Sequence, residues 1–447
     1  MHADLLLSGG LLLPDAHSAP VKDGAVAIAD GVIVDMGPAE AVKARVDAQR
    51  VLDCTGQAVM PGLVDTHIHT CQQMARGLAD DINVLDWLTR IVAVEGTMDE
   101  DDVSVSAKAA CLEMIKSGTT GFIEACGNPY YVDAMGEAIA ESGLRGVMTR
   151  STMELAEPDW NAPDPFLMDA ESNLRATREL IEKWHGQADG RISAWAGWRQ
   201  QWNLSDELLV GIIGIAREHG VGLHGHLATR RYGQIELLDR LGVLGPDLVF
   251  AHSIRYTARD RAIIKHNDVK INHNPGASMH GAYGSAPMGC FPELMAEGVN
   301  VSLGCDGAAN GNTLDMFQVM RLAATIHKEM RLDPVAISPQ QAFQMATSNG
   351  AAAAMWPDAG TLKVGGKADV IAVNLLQPHL MPAYNVLNNL VYCASGQDVV
   401  TTIVAGRVLM EDRKVTTFDE AKVLNDLQTR GEALVQRLPR QYAPAGN

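Results

Sequence analysis

Eight short apolar runs, at residues 62–69, 119–125, 144–150, 192–198, 221–227, 248–254, 269–274 and 299–306, recur along the middle of the chain, separated by longer stretches of mainly helical character. Alternation of this kind predicts parallel strands joined by crossover helices. Eight such units suit an α/β fold of the (β/α)8 TIM-like barrel type, in which reactive side chains gather where the strands run out at their C-terminal ends. An open doubly wound sheet is the alternative. No GxGxxG or GxxxxGK[ST] pattern follows any run, so a dinucleotide or P-loop phosphate site has no support.

The two ends of the chain read differently. From residue 1 to about 60, short strand-like segments alternate with turns. Similar segments return at 368–374 and 399–410, with turns at Gly365-Gly366 and Ala405-Gly406. The ends are expected to pair into one small β-sandwich built from 1–60 plus 357–447, with a helix over 419–438, around a barrel of 61–356.

Charge narrows the partners. The chain has 36 Lys and Arg against 54 Asp and Glu, a net charge of −18, which repels nucleic-acid phosphates and anionic lipid headgroups. Seven cysteines form no CxxC pair, which argues against a disulfide framework or a structural zinc ribbon. The N-terminal segment lacks a basic region, and no apolar stretch reaches the roughly 20 residues that span a bilayer. A cytoplasmic protein with a small-molecule substrate, and neither nucleic acid nor membrane as partner, is therefore expected.

Several runs end in metal-binding side chains. The first ends His67-Ile68-His69, and residues i and i+2 of a strand share a face, so both imidazoles can enter the barrel mouth together. The fifth carries His224 and His226, the sixth His252, the seventh His273 and the eighth Asp306. Each interval from 226 to 306 is about one strand plus one crossover helix, which sets these groups on successive strands around one mouth. His224 lies deeper in its strand and is read as a supporting or packing residue. Neutral imidazoles with a carboxylate suit a divalent ion, Zn²⁺ or Fe²⁺, which lowers the pKa of water towards about 7. Asp306 is then placed to act as general base.

These stretches resemble the amidohydrolase superfamily, in particular its mononuclear cytosine/guanine deaminase and chlorohydrolase branch. The resemblance rests on Pro61-Gly62-Leu63-Val64-Asp65-Thr66-His67-Ile68-His69, Arg76 to Asp81, Ala251-His252, His273-Asn274-Pro275, Leu303 to Ala308 and Gly365 to Asp369, and covers nearly the whole chain. It implies that His67, His69, His226 and Asp306 ligate the metal, while His252 orients water or substrate. Binuclear relatives bridge two metals with a lysine on the fourth strand, and the fourth run has none, so one metal is expected. Homo-oligomers are frequent among look-alike enzymes; by that analogy alone, the loop after His69 is where an interface would form.

Two departures from that pattern bear on function. Deaminases of this branch carry His-x-x-Glu after the fifth strand, the glutamate protonating a ring nitrogen, whereas this chain reads His226-Leu227-Ala228-Thr229. A threonine hydroxyl is too weak an acid for that task. Glu124, ending the second run, is the nearest substitute by topology, and a paired structural carboxylate is its other reading. After the fourth run, relatives place a His-x-Pro-Tyr type stretch, but here the chain reads Trp198-Arg199-Gln200-Gln201-Trp202-Asn203. Arg199 and Trp202 could grip a planar substrate by bidentate hydrogen bonding and stacking, or Arg199 could pair with an acid on the rim. Arg230 and Arg231 carry the same two readings, Gln72 is a substrate contact or a cap, His273 is a substrate contact, and Trp87, Cys71 and Cys305 are read as packing.

Three functions are compatible with this. The first is hydrolytic attack on an sp² carbon of a nitrogen heterocycle, an aminohydrolase or deaminase reaction. The second is hydrolysis of an amide, urea or carbamate C–N bond, which Thr229 favours. The third, a non-catalytic metal-containing binding protein, leaves the complete ligand set unexplained.

Overall fold

The computed structural model describes residues 1–156 and 165–442. Its centre is a parallel barrel of eight strands: β1 (Leu63–Ile68), β2 (Thr119–Glu124), β3 (Arg145–Met148), β4 in two pieces (Ile192–Ala194 and Ala196–Gln200), β5 (Leu223–Leu227), β6 (Leu248–His252), β7 (Lys270–His273) and β8 (Val301–Leu303). Nearly every residue of these strands is buried, because crossover helices cover the outside while side chains fill the interior; the apolar runs are therefore continuous rather than alternating.

The barrel is not one uninterrupted ladder. The first piece of β4 pairs with β3, and the second pairs with β5, so the strands form sheets of four and five. Trp195 lies at the break, its N–H donated to the Met148 carbonyl at 2.8 Å. The indoles of Trp195 and Trp198 lie over Gly222 and Gly225, where a Cβ would come within 2.7 Å and 2.3 Å of the rings. Only glycine leaves room for that packing.

At the other seam, between β8 and β1, side chains do the joining. Thr66 Oγ1 accepts from Asn272 Nδ2 at 2.7 Å and donates to the Leu303 carbonyl at 3.0 Å. Asp65 Oδ1 accepts the Cys305 N–H, and the Asp306 N–H is donated to the His67 carbonyl at 2.9 Å. This seam therefore fixes Asp306 beside His67.

Both chain ends contribute to a separate mixed sheet of nine strands, consistent with the expected small β-sandwich. Gln57–Pro61 lies against Val370–Asn374 antiparallel and against His2–Leu12 parallel, which joins the two ends. Leu5 and Leu7 belong to one buried cluster with Val26 and Ile28, while Leu6 belongs to another with Ala25 and Ala27, the period-two signature of a sheet packed on both faces. A buried bidentate pair, Arg145 at the start of β3 with Asp369 (both contacts 3.0 Å), fastens this sheet to the barrel.

Three helices matter to the site. Asn83 caps α1 (Val84–Thr97) by accepting the N–H groups of Leu85 and Asp86, and Asp99 with Asp102 forms a capping box on α2 (Glu100–Ser117). The C-terminal α3 (Glu420–Arg437) lies where the sequence predicts a helix, and its Arg430 and Arg437 pair with Asp99 and Asp102. Among the described residues no helix is long and apolar enough to cross a membrane.

Candidate active site and metal centre

Four strands deliver five imidazoles and one carboxylate to the barrel mouth: His67 and His69 from β1, His224 and His226 from β5, His252 from β6, and Asp306 from just beyond β8. His252 and Asp306 have left-handed backbones, with φ of 66° and 64°. Such a conformation costs a non-glycine residue on the order of 1–3 kcal/mol and persists where surrounding contacts over-determine it, commonly at functional sites.

The donor atoms converge closely. His69 Nε2 is 3.3 Å from His226 Nε2 and 3.5 Å from Asp306 Oδ1, and His67 Nε2 is 3.6 Å from the same oxygen. Two ligands held about 2.0–2.1 Å from one tetrahedral ion stand about 3.3 Å apart, so this set fits a single small cation. His252 Nε2 is further out, 3.8 Å from Asp306 Oδ2. The ligand atoms of His67, His69 and Asp306, and those of His67, His226 and His252, form two buried groups of three able to hold an ion.

Hydrogen bonding fixes the tautomer of His67. The Val249 carbonyl can only accept, so His224 Nδ1, 3.0 Å away, carries its proton. His224 Nε2 is then an acceptor, and the His67 Nδ1–H donates to it at 2.8 Å. That leaves His67 Nε2 with a lone pair, buried and without a hydrogen-bond partner. A cation satisfies it.

Protonation states agree. Burial, with neighbouring imidazoles, holds the pKa of His69 and His226 well below the usual histidine value, and burial takes His252 down to about 4. The Asp306 carboxyl is held well below the usual range in spite of its burial. Asp306 is held in place by the Gly307 N–H at 2.7 Å and by Asn310 Nδ2 at 2.9 Å.

A narrow cleft opens onto these groups. Gln72, Arg199, Trp202 and Thr229 line it, as do Trp87, Arg230 and Tyr283. Arg199 pairs with Glu95 on α1 at 2.9 Å, and Gln72 Nε2 donates to the other oxygen of that carboxylate at 2.8 Å. Arg231 stacks on the indole of Trp202, 4.3 Å from its centroid. Trp87 does more than pack its helix, since its indole N–H is donated to the Ala309 carbonyl while the ring forms cleft wall. Cys305 and Cys71 are buried among packing residues.

Glu124 and His273, also expected at the substrate, are not among the residues that line this cleft. Glu124 accepts the backbone N–H groups of Thr70 and Cys126, both at 2.9 Å, and so clamps the loops after β1 and β2. Burial pushes its carboxyl up to about 7. His273 is stacked on Phe291 with ring centroids 3.8 Å apart. Arg331 donates to His327 Nδ1, so His327 Nε2–H donates to His273 Nε2 at 3.2 Å, and that nitrogen is already used. Glu95, Tyr283 and Asn310 were not found by sequence reasoning. Glu95 alone carried a signal, since it continues the inward face of α1 marked by Val84, Trp87, Leu88 and Ile91.

Comparison with known proteins is consistent with this geometry. Residues 58–409 match the Amidohydrolase family. The chain is 38% identical to a 5'-deoxyadenosine deaminase of Methanosarcina mazei, covering 98% of this chain and 99% of that protein. It is 37% identical to a 5-methylthioadenosine/S-adenosylhomocysteine deaminase of Syntrophobacter fumaroxidans, covering 94% and 96%. The crystal structure of an adenosine deaminase from Xanthomonas campestris with bound zinc superposes with a TM-score of 0.90 at 26% identity, covering 97% of this chain and 99% of that one.

Proposed function

From the premise that this chain belongs to the amidohydrolase family, we propose that it is a zinc-dependent deaminase of aminopurine nucleosides, ligating one ion through His67, His69, His226 and Asp306. The observation that carries the reading is the cluster itself: three neutral imidazoles and an ionised carboxylate at the spacing of a single ion, facing a cleft with indole walls. The 5'-substituted adenosines named for its relatives are the substrates to try first.

When bound, such an ion lowers the pKa of water towards about 7 and supplies a nucleophile at neutral pH. Asp306 removes the water proton as the oxygen bonds to the ring carbon bearing the amino group. It then hands that proton to the departing nitrogen, and the second water proton passes from the new hydroxyl to the ring nitrogen by exchange with solvent, so that one water is consumed and ammonia and the oxo product form. His252, beside Asp306 Oδ2, orients the attacking oxygen. Trp202 and Trp87 offer faces on which a purine can stack, and Gln72 offers hydrogen bonds to its edge. The reaction lies with residues 61–356, the ends 1–60 and 357–447 bracing the barrel, in a protein that works in the cytoplasm.

Thr229 favours a second reading, hydrolysis of an amide or urea, because its hydroxyl cannot protonate a ring nitrogen. One experiment separates the two. The zinc-loaded protein is assayed for ammonia release from 5'-deoxyadenosine, 5'-methylthioadenosine and S-adenosylhomocysteine, and in parallel for cleavage of aryl ureas. Ammonia with the spectral shift to the inosine product, abolished by a chelator and restored by zinc, supports deamination. Turnover of ureas alone moves the protein to the second reading.

A further inference from the structure

The side chain at position 229 leaves charge developing on the substrate without an acid to meet it, and the cleft holds another donor. Tyr283 lies in the loop between β7 and β8, its ring edge-on to His252 with centroids 5.5 Å apart, and it lines the same cleft as His69, His226 and Asp306. Its phenol oxygen is 2.8 Å from Asn310 Nδ2, the nitrogen that also stands 2.9 Å from Asp306 Oδ2.

The carboxylate of Asp306 can only accept, so the Asn310 group facing it is the NH₂. One hydrogen of that group goes to Asp306 and the other to Tyr283. The phenol oxygen is therefore an acceptor towards Asn310, and its own hydrogen is left to be given elsewhere. Among the described residues no protein acceptor takes it. Burial pushes the phenol pKa up, so the hydrogen stays in place at any working pH.

The ring is also held rigidly. The Tyr283 N–H is donated to the Ser278 carbonyl at 2.9 Å, Arg255 Nη2 donates to the Tyr283 carbonyl at 3.0 Å, and a Cβ on Gly281 would come within 2.2 Å of the ring. A donor fixed in advance, out of water and close to the general base, is the arrangement that stabilises charge developing during a reaction.

We infer that Tyr283 is a catalytic residue that donates its phenolic hydrogen bond to the substrate atom gaining negative charge as oxygen adds to the neighbouring carbon. In a purine that atom is a ring nitrogen; in a urea it is the carbonyl oxygen. The phenol keeps its proton, and no bond to tyrosine forms or breaks. Asn310 is the positioning residue that ties the donor to Asp306.

This role rests on the proposed hydrolytic function, and the test separates the two. Tyr283→Phe keeps the ring and removes only the donor. In the zinc-loaded full chain, kcat on the substrate found for the wild type falls at least about 100-fold, while KM changes less than about threefold and zinc content stays the same. A second readout is independent of turnover: calorimetric binding of purine ribonucleoside, which has the ring acceptor but no amino group, weakens about tenfold or more for an aminopurine-specific enzyme. A wild type that works and a Phe variant with kcat within threefold overturns the role of Tyr283 and leaves the proposed function standing. A wild type that hydrolyses neither aminopurine nucleosides nor ureas overturns both.

Discussion

His224 Nε2 stands 2.8 Å from His67 Nδ1, and this one contact decides which nitrogen of His67 faces the barrel mouth. Because the Val249 carbonyl anchors the other side of His224, the proton positions along the chain are forced. Replacing His224 with leucine leaves His67 free to turn or to protonate the wrong nitrogen. Zinc affinity is expected to drop about 10- to 100-fold, as measured by competition with a chromogenic chelator, while the far-ultraviolet circular dichroism is unchanged. Unaltered affinity would show that the contact does not orient the ligand.

Asp306 has two tasks in the proposed reaction, ligand and base, and its carboxyl is held well below the usual range. Asparagine preserves its shape and its contact with the Gly307 N–H but cannot take a proton. Turnover in Asp306→Asn is expected to fall by at least about 10³-fold, with the fold intact by circular dichroism. Rates within tenfold of wild type would remove Asp306 from the role of base.

The parts of this site legible in the sequence are those set by strand parity. His67 and His69 share a face because they are two residues apart, and His226, His252 and Asp306 meet them because each ends a parallel strand. Parity does not say how deep a residue lies or what already occupies it. Glu124 and His273 also end strands, yet one clamps two backbone N–H groups and the other is taken up by Phe291 and His327. Tyr283 and Asn310 lie in loops, where no period gives a direction. The break of β4 at Trp195 leaves no mark either, since apolar residues flank it on both sides.

Glu124 makes stability depend on pH in a direction opposite to that of a salt-bridged carboxylate. Burial raises its carboxyl from the ordinary 4.5 to about 7. Between those values the native state holds a proton that the unfolded chain has lost, so stability declines as pH rises from about 4.5 to 7 and then levels off. The decline from this group is up to about 3 kcal/mol at about 1.4 kcal/mol per unit. Glu124→Gln cannot titrate, and urea unfolding between pH 5 and 8 is expected to show a flatter pH dependence in the variant. Parallel curves for the two proteins would contradict the assignment.

The ion pair of Glu95 with Arg199 lies in the cleft wall, with Glu95 fully buried and Gln72 donating to its second oxygen. A buried pair contributes little net stability over an apolar replacement, but removing one partner leaves an uncompensated charge. Glu95→Ala is therefore expected to cost about 3–5 kcal/mol in denaturant unfolding, whereas Glu95→Ala with Arg199→Met recovers a large part of that loss. The carboxylate also aims Arg199 and Gln72 along the wall that substrate must pass, so Glu95→Gln, which keeps the shape and one acceptor, is expected to raise KM more than it lowers kcat. Additive single and double variants in the unfolding cycle would mean that the two side chains are not coupled, and that the cleft wall is set by something other than this pair.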